Sequence, residues 1–191
     1  AHTCFPLGEY TKEEIRRMAE EQGFFNAGKK DSQDICFIPD GDYRRFIEET
    51  TGQKSTPGNF VDQEGNVLGI HKGYYCYTIG QRRGLGISAP QSLYVVEIRP
   101  EKNEVVLGSN EDLFHSHLTA DHFNWIEQVG PDEIIKARIR YHQTEKEATV
   151  RVLEDNRVEV DFLEPQRAIT KGQAVVLYRG DAVAGGGRII G

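Results

Sequence analysis

Glu147-Ala148-Thr149-Val150-Arg151-Val152-Leu153, then Glu154-Asp155-Asn156, then Arg157-Val158-Glu159-Val160-Asp161-Phe162-Leu163 is the stretch whose reading decides the fold. Both runs alternate at a period of two, the spacing of a strand with one buried face. The polar triplet between them is turn chemistry, so the stretch predicts two antiparallel strands. Outward from it, further strands are expected near 119–126, 133–141, 173–178 and 182–190, with a turn at Arg179-Gly180-Asp181. Six short strands at this spacing predict a small antiparallel barrel, and Gly185-Gly186-Gly187 let its strands approach closely.

Upstream, Phe60-Val61 and Val67-Leu68-Gly69-Ile70 flank Glu64-Gly65-Asn66, a hairpin signal. A second hairpin is expected where Leu93 to Ile98 and Glu104 to Leu107 flank Arg99-Pro100-Glu101-Lys102-Asn103. The N-terminal part is helical instead. Thr11 and Glu14 form a capping box, Ile15, Met18 and Ala19 an apolar stripe, and Gly23 a stop. Asp42 caps a second short helix whose Tyr43, Phe46 and Ile47 are expected to face inward. Gly52 to Gly58 reads as a boundary. The fold class expected is mainly β with a short helical N-terminal piece (α+β). A helical piece (1–52) precedes a small β-rich central domain (53–112) and a C-terminal antiparallel β-barrel (113–191).

Composition narrows the function. The chain has 191 residues, 28% of them charged and 38% hydrophobic, a normal globular balance. No apolar run approaches the roughly 20 residues that cross a bilayer, and the first residues lack a signal peptide's pattern. Cys4, Cys36 and Cys76 are an odd number without a Cys-x-x-Cys pair. That argues against a disulfide scaffold or zinc knuckle and for a reducing, cytoplasmic setting. Cys4 and Cys76 are read as structural, Cys76 within a strand. The chain opens almost inside a structured motif, as a segment of a longer protein would.

A net charge of −7 argues against a simple polyanion binder. Two islands run the other way: residues 71–83 and residues 134–151 each carry a balance of +3. They are either local footprints for a polyanion or solvated strand faces.

Four groups are candidates for chemistry. Cys36 follows Lys29 and Lys30 and precedes Phe37 and Ile38. The lysines favour a thiolate and Asp31 and Asp34 oppose it, so charge alone leaves a nucleophile and a buried hydrophobe both open. Tyr77-Thr78-Ile79-Gly80-Gln81-Arg82-Arg83-Gly84-Leu85-Gly86-Ile87 is either a phosphate-meeting loop or a tight turn. Lys29, Lys30, Arg82 and Arg83 are therefore candidate phosphate or RNA contacts. In Lys136-Ala137-Arg138-Ile139-Arg140-Tyr141 alternation puts Ala137, Ile139 and Tyr141 on one face and the cations on the other. Tyr141, near the strand end, is placed to stack on a base. His115-Ser116-His117 and His122 lack an acid or cysteine to complete a ligand set, so no metal is assigned.

Four windows together resemble the tRNA-specific 2-thiouridylases. They are Phe5-Pro6-Leu7-Gly8-Glu9-Tyr10-Thr11-Lys12, Lys30-Asp31-Ser32-Gln33-Asp34-Ile35-Cys36-Phe37-Ile38, the Tyr77 to Ile87 loop, and Arg140-Tyr141-His142-Gln143 with Gly172-Gln173-Ala174-Val175. The resemblance implies the C-terminal part of such an enzyme, ending in a translation-factor-like barrel. The family's N-terminal ATP-pyrophosphatase domain adenylates the C2 oxygen of the wobble uridine with ATP, magnesium being expected with it. No window here matches its phosphate loop, so residues 1–52 are expected to be the end of that domain. Cys36 matches the cysteine that carries sulfur as a persulfide, with a disulfide partner expected outside this chain. Arg140, Tyr141 and Gln173 match tRNA contacts. The implied partners are tRNA and a persulfide sulfur-donor protein, with no membrane, and the segment alone is expected to be inactive. Two readings compete: an RNA-binding barrel module whose Cys36 is structural, and a redox-sensing regulator, weakened by the lack of a resolving cysteine.

Overall fold

The computed structural model describes residues 4–29, 38, 42–52, 54–130 and 133–191, which fall into two compact units, Ala1–Thr51 and Gly52–Gly191. The first holds helices α1 (Lys12–Glu21) and α2 (Tyr43–Thr51). The capping box forms: the Glu14 amide donates to Thr11 Oγ1 at 3.3 Å and the Thr11 amide to Glu14 Oε2 at 2.7 Å. Gly23, at φ 73°, ends α1, as only a residue tolerant of positive φ does readily. Asp42 caps α2 through the Arg45 amide at 3.0 Å. Ile15, Met18, Ala19, Phe46 and Ile47 are half-buried, whereas Tyr43 is 43% exposed and not inward-facing.

The second unit starts with a four-stranded sheet. Strands β1 (Gly58–Val61) and β2 (Val67–His71) form the first expected hairpin, and β3 (Tyr94–Arg99) and β4 (Glu104–Gly108) the second. Both pairs are antiparallel, but β1 and β4 pair parallel, so the sheet is mixed, in the order β2-β1-β4-β3. Phe60, Val95, Val105 and Leu107 are fully buried within it.

His71 is 1% exposed at the end of β2. The Gly73 amide donates to its Nδ1 at 3.0 Å, so Nε2 carries the proton and donates to the Asn103 carbonyl at 3.1 Å. Burial pushes its pKa below the ordinary histidine range and keeps it neutral. Its ring meets Phe60 and Tyr77 edge-on at 5.4 and 5.7 Å. Cys76 belongs to a short 3-10 turn, Tyr74–Cys76, rather than a strand, and packs on this core. Cys4 is exposed, which removes its structural reading.

The remaining strands close into a barrel. They are β5 (Phe114–Trp125), β6 (Ile135–Arg138), β7 (Lys146–Val152), β8 (Val158–Arg167), β9 (Ala174–Arg179) and β10 (Ala182–Ile189), in the closed order β10-β5-β8-β7-β6-β9. Every pairing is antiparallel. The alternation in the deciding stretch is realised except at its middle. Ala148, Val150, Val158, Val160 and Phe162 point into the core and Arg151, Asp161 and Leu163 point out, but Val152, at the end of β7, is exposed instead of inward. The glycine triplet serves close approach. A Cβ on Gly187 would stand 2.6 Å from the Phe123 ring and 2.7 Å from the Asp121 carbonyl.

Two irregularities shape the barrel rim. β6 ends at Arg138, so Ile139 is still buried but Tyr141 sits in a turn, 85% exposed. The face that Ala137, Ile139 and Tyr141 are expected to share stops before Tyr141. In β8 the register against β5 jumps between Asp161 and Gln166, around Pro165, which has no amide for a ladder bond. Beyond the jump Gln166 is buried and Arg167 exposed, and Ala168 turns at φ 57°.

Candidate nucleic-acid interface

These irregularities line one open cleft of about 580 Å³ with Thr78, Arg140, Tyr141, His142, Gln143, Arg167, Thr170 and Gln173. It brings Arg140, Tyr141 and Gln173 together, although Gln173 lies more than 30 residues beyond the other two. Arg140 Nη2 donates to the Ala168 carbonyl at 3.0 Å and to Thr170 Oγ1 at 3.1 Å. The Thr170 hydroxyl also donates to the Ala168 carbonyl, at 2.9 Å. The guanidinium is thus held at the rim through one edge.

Gln143 closes the floor. Gln166 Nε2 donates to the Glu164 carbonyl at 2.6 Å, which leaves Gln166 Oε1 to accept from Gln143 Nε2 at 2.8 Å. Tyr141 offers a solvent-facing ring, met edge-on by His142 at 4.8 Å. An exposed aromatic beside a guanidinium can stack a base and meet its phosphate.

Charge pairing separates this cleft from the rest of the barrel. Arg138 pairs with Glu145, Arg151 with Glu159, Arg157 with Asp155, Arg179 with Glu127 and Glu133, and Arg188 with Asp121. The two barrel arginines that pair with no carboxylate among the described residues are Arg140 and Arg167, and both line the cleft. No acidic residue is among its lining residues. On a chain of net charge −7 this is a concentrated positive spot.

The other candidates lie elsewhere. Cys36 and Lys30 fall outside the described residues, and Lys29 is exposed. Arg82 and Arg83 are exposed, and Arg82 lines a separate cleft of about 400 Å³ with the 84–93 loop. Of the Tyr77–Ile87 loop, Thr78 is the residue that reaches the first cleft. His117 Nδ1 lies 2.7 Å from Asp161 Oδ1, and His122 Nδ1 lies 3.1 Å from Asp121. The acid that His117 lacked in sequence comes from the neighbouring strand. Among the described residues no group of three potential ligands gathers for a metal.

Sequence reasoning passed over Arg167. Its Nε donates to Asn110 Oδ1 at 3.2 Å, and its guanidinium lies 5.6 Å from the centre of the Tyr94 ring. Its one sequence signal is position, just past a proline that interrupts a strand.

Fold and cleft together define a class: a mixed sheet joined to a closed six-stranded barrel, with an acid-free arginine pair at the rim. Comparison with known proteins makes this specific. Residues 115–189 match the aminomethyltransferase beta-barrel domain, residues 44–109 the tRNA methyl transferase PRC-barrel domain and residues 1–40 the tRNA methyl transferase HUP domain. Curated relatives include the tRNA-specific 2-thiouridylase MnmA of Lachnoclostridium phytofermentans, 52% identical over 98% of this chain and 53% of its own length. Those of Carboxydothermus hydrogenoformans and Clostridium kluyveri are 50% and 49% identical over 96% and 99% of the chain, and 51% and 54% of their own lengths. The chain belongs to the tRNA-specific 2-thiouridylase family and corresponds to its C-terminal half. It spans about half the length of the curated relatives it matches. Among the described residues no helix is long and apolar enough to cross a membrane.

Proposed function

We propose that this chain is the tRNA-gripping, sulfur-carrying part of an enzyme that replaces oxygen by sulfur at C2 of the wobble uridine of tRNA. The observation that carries the reading is the acid-free cleft in which Arg140, Tyr141 and Gln173 converge. Relatives half-identical over nearly the whole chain and named tRNA-specific 2-thiouridylases support it. The three parts, 1–52, 53–112 and 113–191, then divide the work: the first carries Cys36, and the other two hold tRNA.

The chemistry follows from the leaving group. A uracil carbonyl oxygen is a very poor one, and ATP, with magnesium and outside this chain, converts it to a bound adenylate. A donor protein supplies sulfur to Cys36 as a persulfide. Its terminal sulfur attacks C2, directly or after release as hydrosulfide, and the bond from C2 to the adenylate oxygen breaks to release AMP. A second cysteine thiolate outside this chain takes the Cys36 Sγ as a disulfide, and that oxidation supplies the two electrons that leave reduced sulfur on C2. Lys29 and Lys30, which precede Cys36 in sequence by seven and six residues, and Arg82 and Arg83 on the central domain are further candidate contacts to RNA phosphates. A cytoplasmic location accords with this reading.

Equilibrium binding of a wobble-uridine tRNA to the chain tests it. Binding is expected to be weak and salt-sensitive, with Tyr141→Ala and Arg140→Gln each lowering affinity about fivefold or more, the scale of one stacked base or one phosphate contact. Unchanged affinity in both variants overturns the assignment of the cleft.

A further inference from the structure

We infer that Arg167 is a phosphodiester-contacting residue of this cleft, and that the central sheet, not the barrel, sets its position. The proposal rests on the reading of the cleft as an RNA site and goes beyond it, to a residue that neither motif nor charge pattern singles out. Three groups of the central domain converge on one barrel side chain. Asn110 Oδ1 accepts from its Nε at 3.2 Å, and the Tyr94 ring lies 5.6 Å away, within reach of a cation–π contact. Gly80, at φ 88°, leaves it room: a Cβ there would stand 3.2 Å from Arg167 Nη1 and 3.3 Å from the Ala168 methyl.

Asn110 is itself fixed. Asp112 Oδ2 accepts from the Ser109 amide at 2.7 Å and the Ser109 hydroxyl at 2.8 Å, bracing the turn on which Asn110 sits. The Ala168 amide donates to the Leu113 carbonyl at 2.7 Å, docking the end of that turn on the barrel. Arg167 is thereby held through Nε and the ring face, while neither Nη atom has a hydrogen-bond partner among the described residues.

This is the arrangement a phosphate oxygen meets best. The fork is pre-oriented, so little rotamer freedom remains to be lost, and no carboxylate competes for it. A nucleic-acid backbone crossing the cleft would meet Arg140 from the turn after β6 and Arg167 from the end of β8. The central domain then acts as a positioning element for the barrel's grip.

The test is the salt dependence of tRNA binding by the 191-residue chain. Removing one phosphate contact lowers the slope of log affinity against log salt by about 0.7 to 0.9, and affinity at physiological salt by about fivefold. Arg167→Gln is expected to show both losses. Arg167→Lys keeps the charge and is expected to keep the slope while losing affinity about twofold to threefold, because it loses the fork and the Asn110 bond. Asn110→Ala is expected to behave like the lysine variant. Thermal melting of each variant shows that it is folded; if Arg167→Gln fails to fold, the lysine and Asn110 variants decide alone. Unchanged affinity and slope in Arg167→Gln, or a loss of affinity at unchanged slope, overturns the proposal. If Arg140→Gln and Tyr141→Ala weaken binding while Arg167→Gln does not, this inference fails and the reading of the cleft stands. If the unmodified chain binds no tRNA, both fall.

Discussion

Arg140 Nη2 donates to the carbonyl oxygen of Ala168 at 3.0 Å, tying the turn after β6 to a buried alanine held at φ 57°. Left-handed backbone at a non-glycine residue costs roughly 1–2 kcal/mol and persists only where its surroundings hold it. Here the holding group is also the candidate RNA contact, so binding and local structure share a side chain. Arg140→Ala is expected to destabilise the unit by about 1–2 kcal/mol, the worth of a charged donor on a buried carbonyl. Thr170 continues to serve the same oxygen and limits the loss. Urea unfolding of the two proteins measures it.

Gly80→Ala is expected to cost more. The substitution meets positive φ and crowds both Arg167 and Ala168. A loss of about 1–3 kcal/mol is expected, with tRNA affinity falling as well because Arg167 is displaced. A calorimetric scan beside a binding titration shows whether the two losses travel together.

His71 makes the central sheet sensitive to mild acid. Its folded pKa lies below its unfolded value of about 6.5 because burial penalises the charged form. The neutral ring's contribution is therefore complete above about pH 6.5 and is lost as pH falls toward and through the folded value. Stability measured in urea between pH 7.5 and pH 5 is expected to decline in the unmodified chain. His71→Asn is expected to start lower and to show a flatter profile across the same range.

Asp121 governs a more acidic window. The Arg188 guanidinium, bonded to both carboxylate oxygens at 2.8 and 3.1 Å, holds its pKa down at about 2. A carboxylate depressed in the fold stabilises above its unfolded pKa of about 3.9 and loses that contribution as pH falls toward 2. Acid titration of Asp121→Asn, followed by far-ultraviolet circular dichroism, is expected to show less dependence on pH across that window than the unmodified chain. Asp121 is half-buried but its partner Arg188 is exposed, so the difference is expected to shrink in high salt.

Much of the fold was legible because its signals are local. The Thr11–Glu14 cap, the Glu64-Gly65-Asn66 turn between β1 and β2, and the alternation within β7 and β8 each lie within a few residues of their cause. The parallel pairing of β1 with β4 was not legible, since it joins segments more than 40 residues apart and leaves no mark on either. Tyr141 was misplaced because alternation carries no notice of where a strand stops. Gln173 came only from the resemblance, and its place beside Arg140 from the folded chain. Arg167 had neither route: Asn110, 57 residues away, gives it meaning only once the barrel and sheet have docked.

The central claim joins a tRNA grip to sulfur carried on Cys36. It is tested most directly by nucleoside mass spectrometry of tRNA treated by the complete enzyme bearing Cys36→Ser. The expected result is 2-thiouridine at background level, with tRNA affinity within about twofold of the unmodified enzyme because the cleft residues are untouched. Thiolation persisting in that variant would contradict the claim.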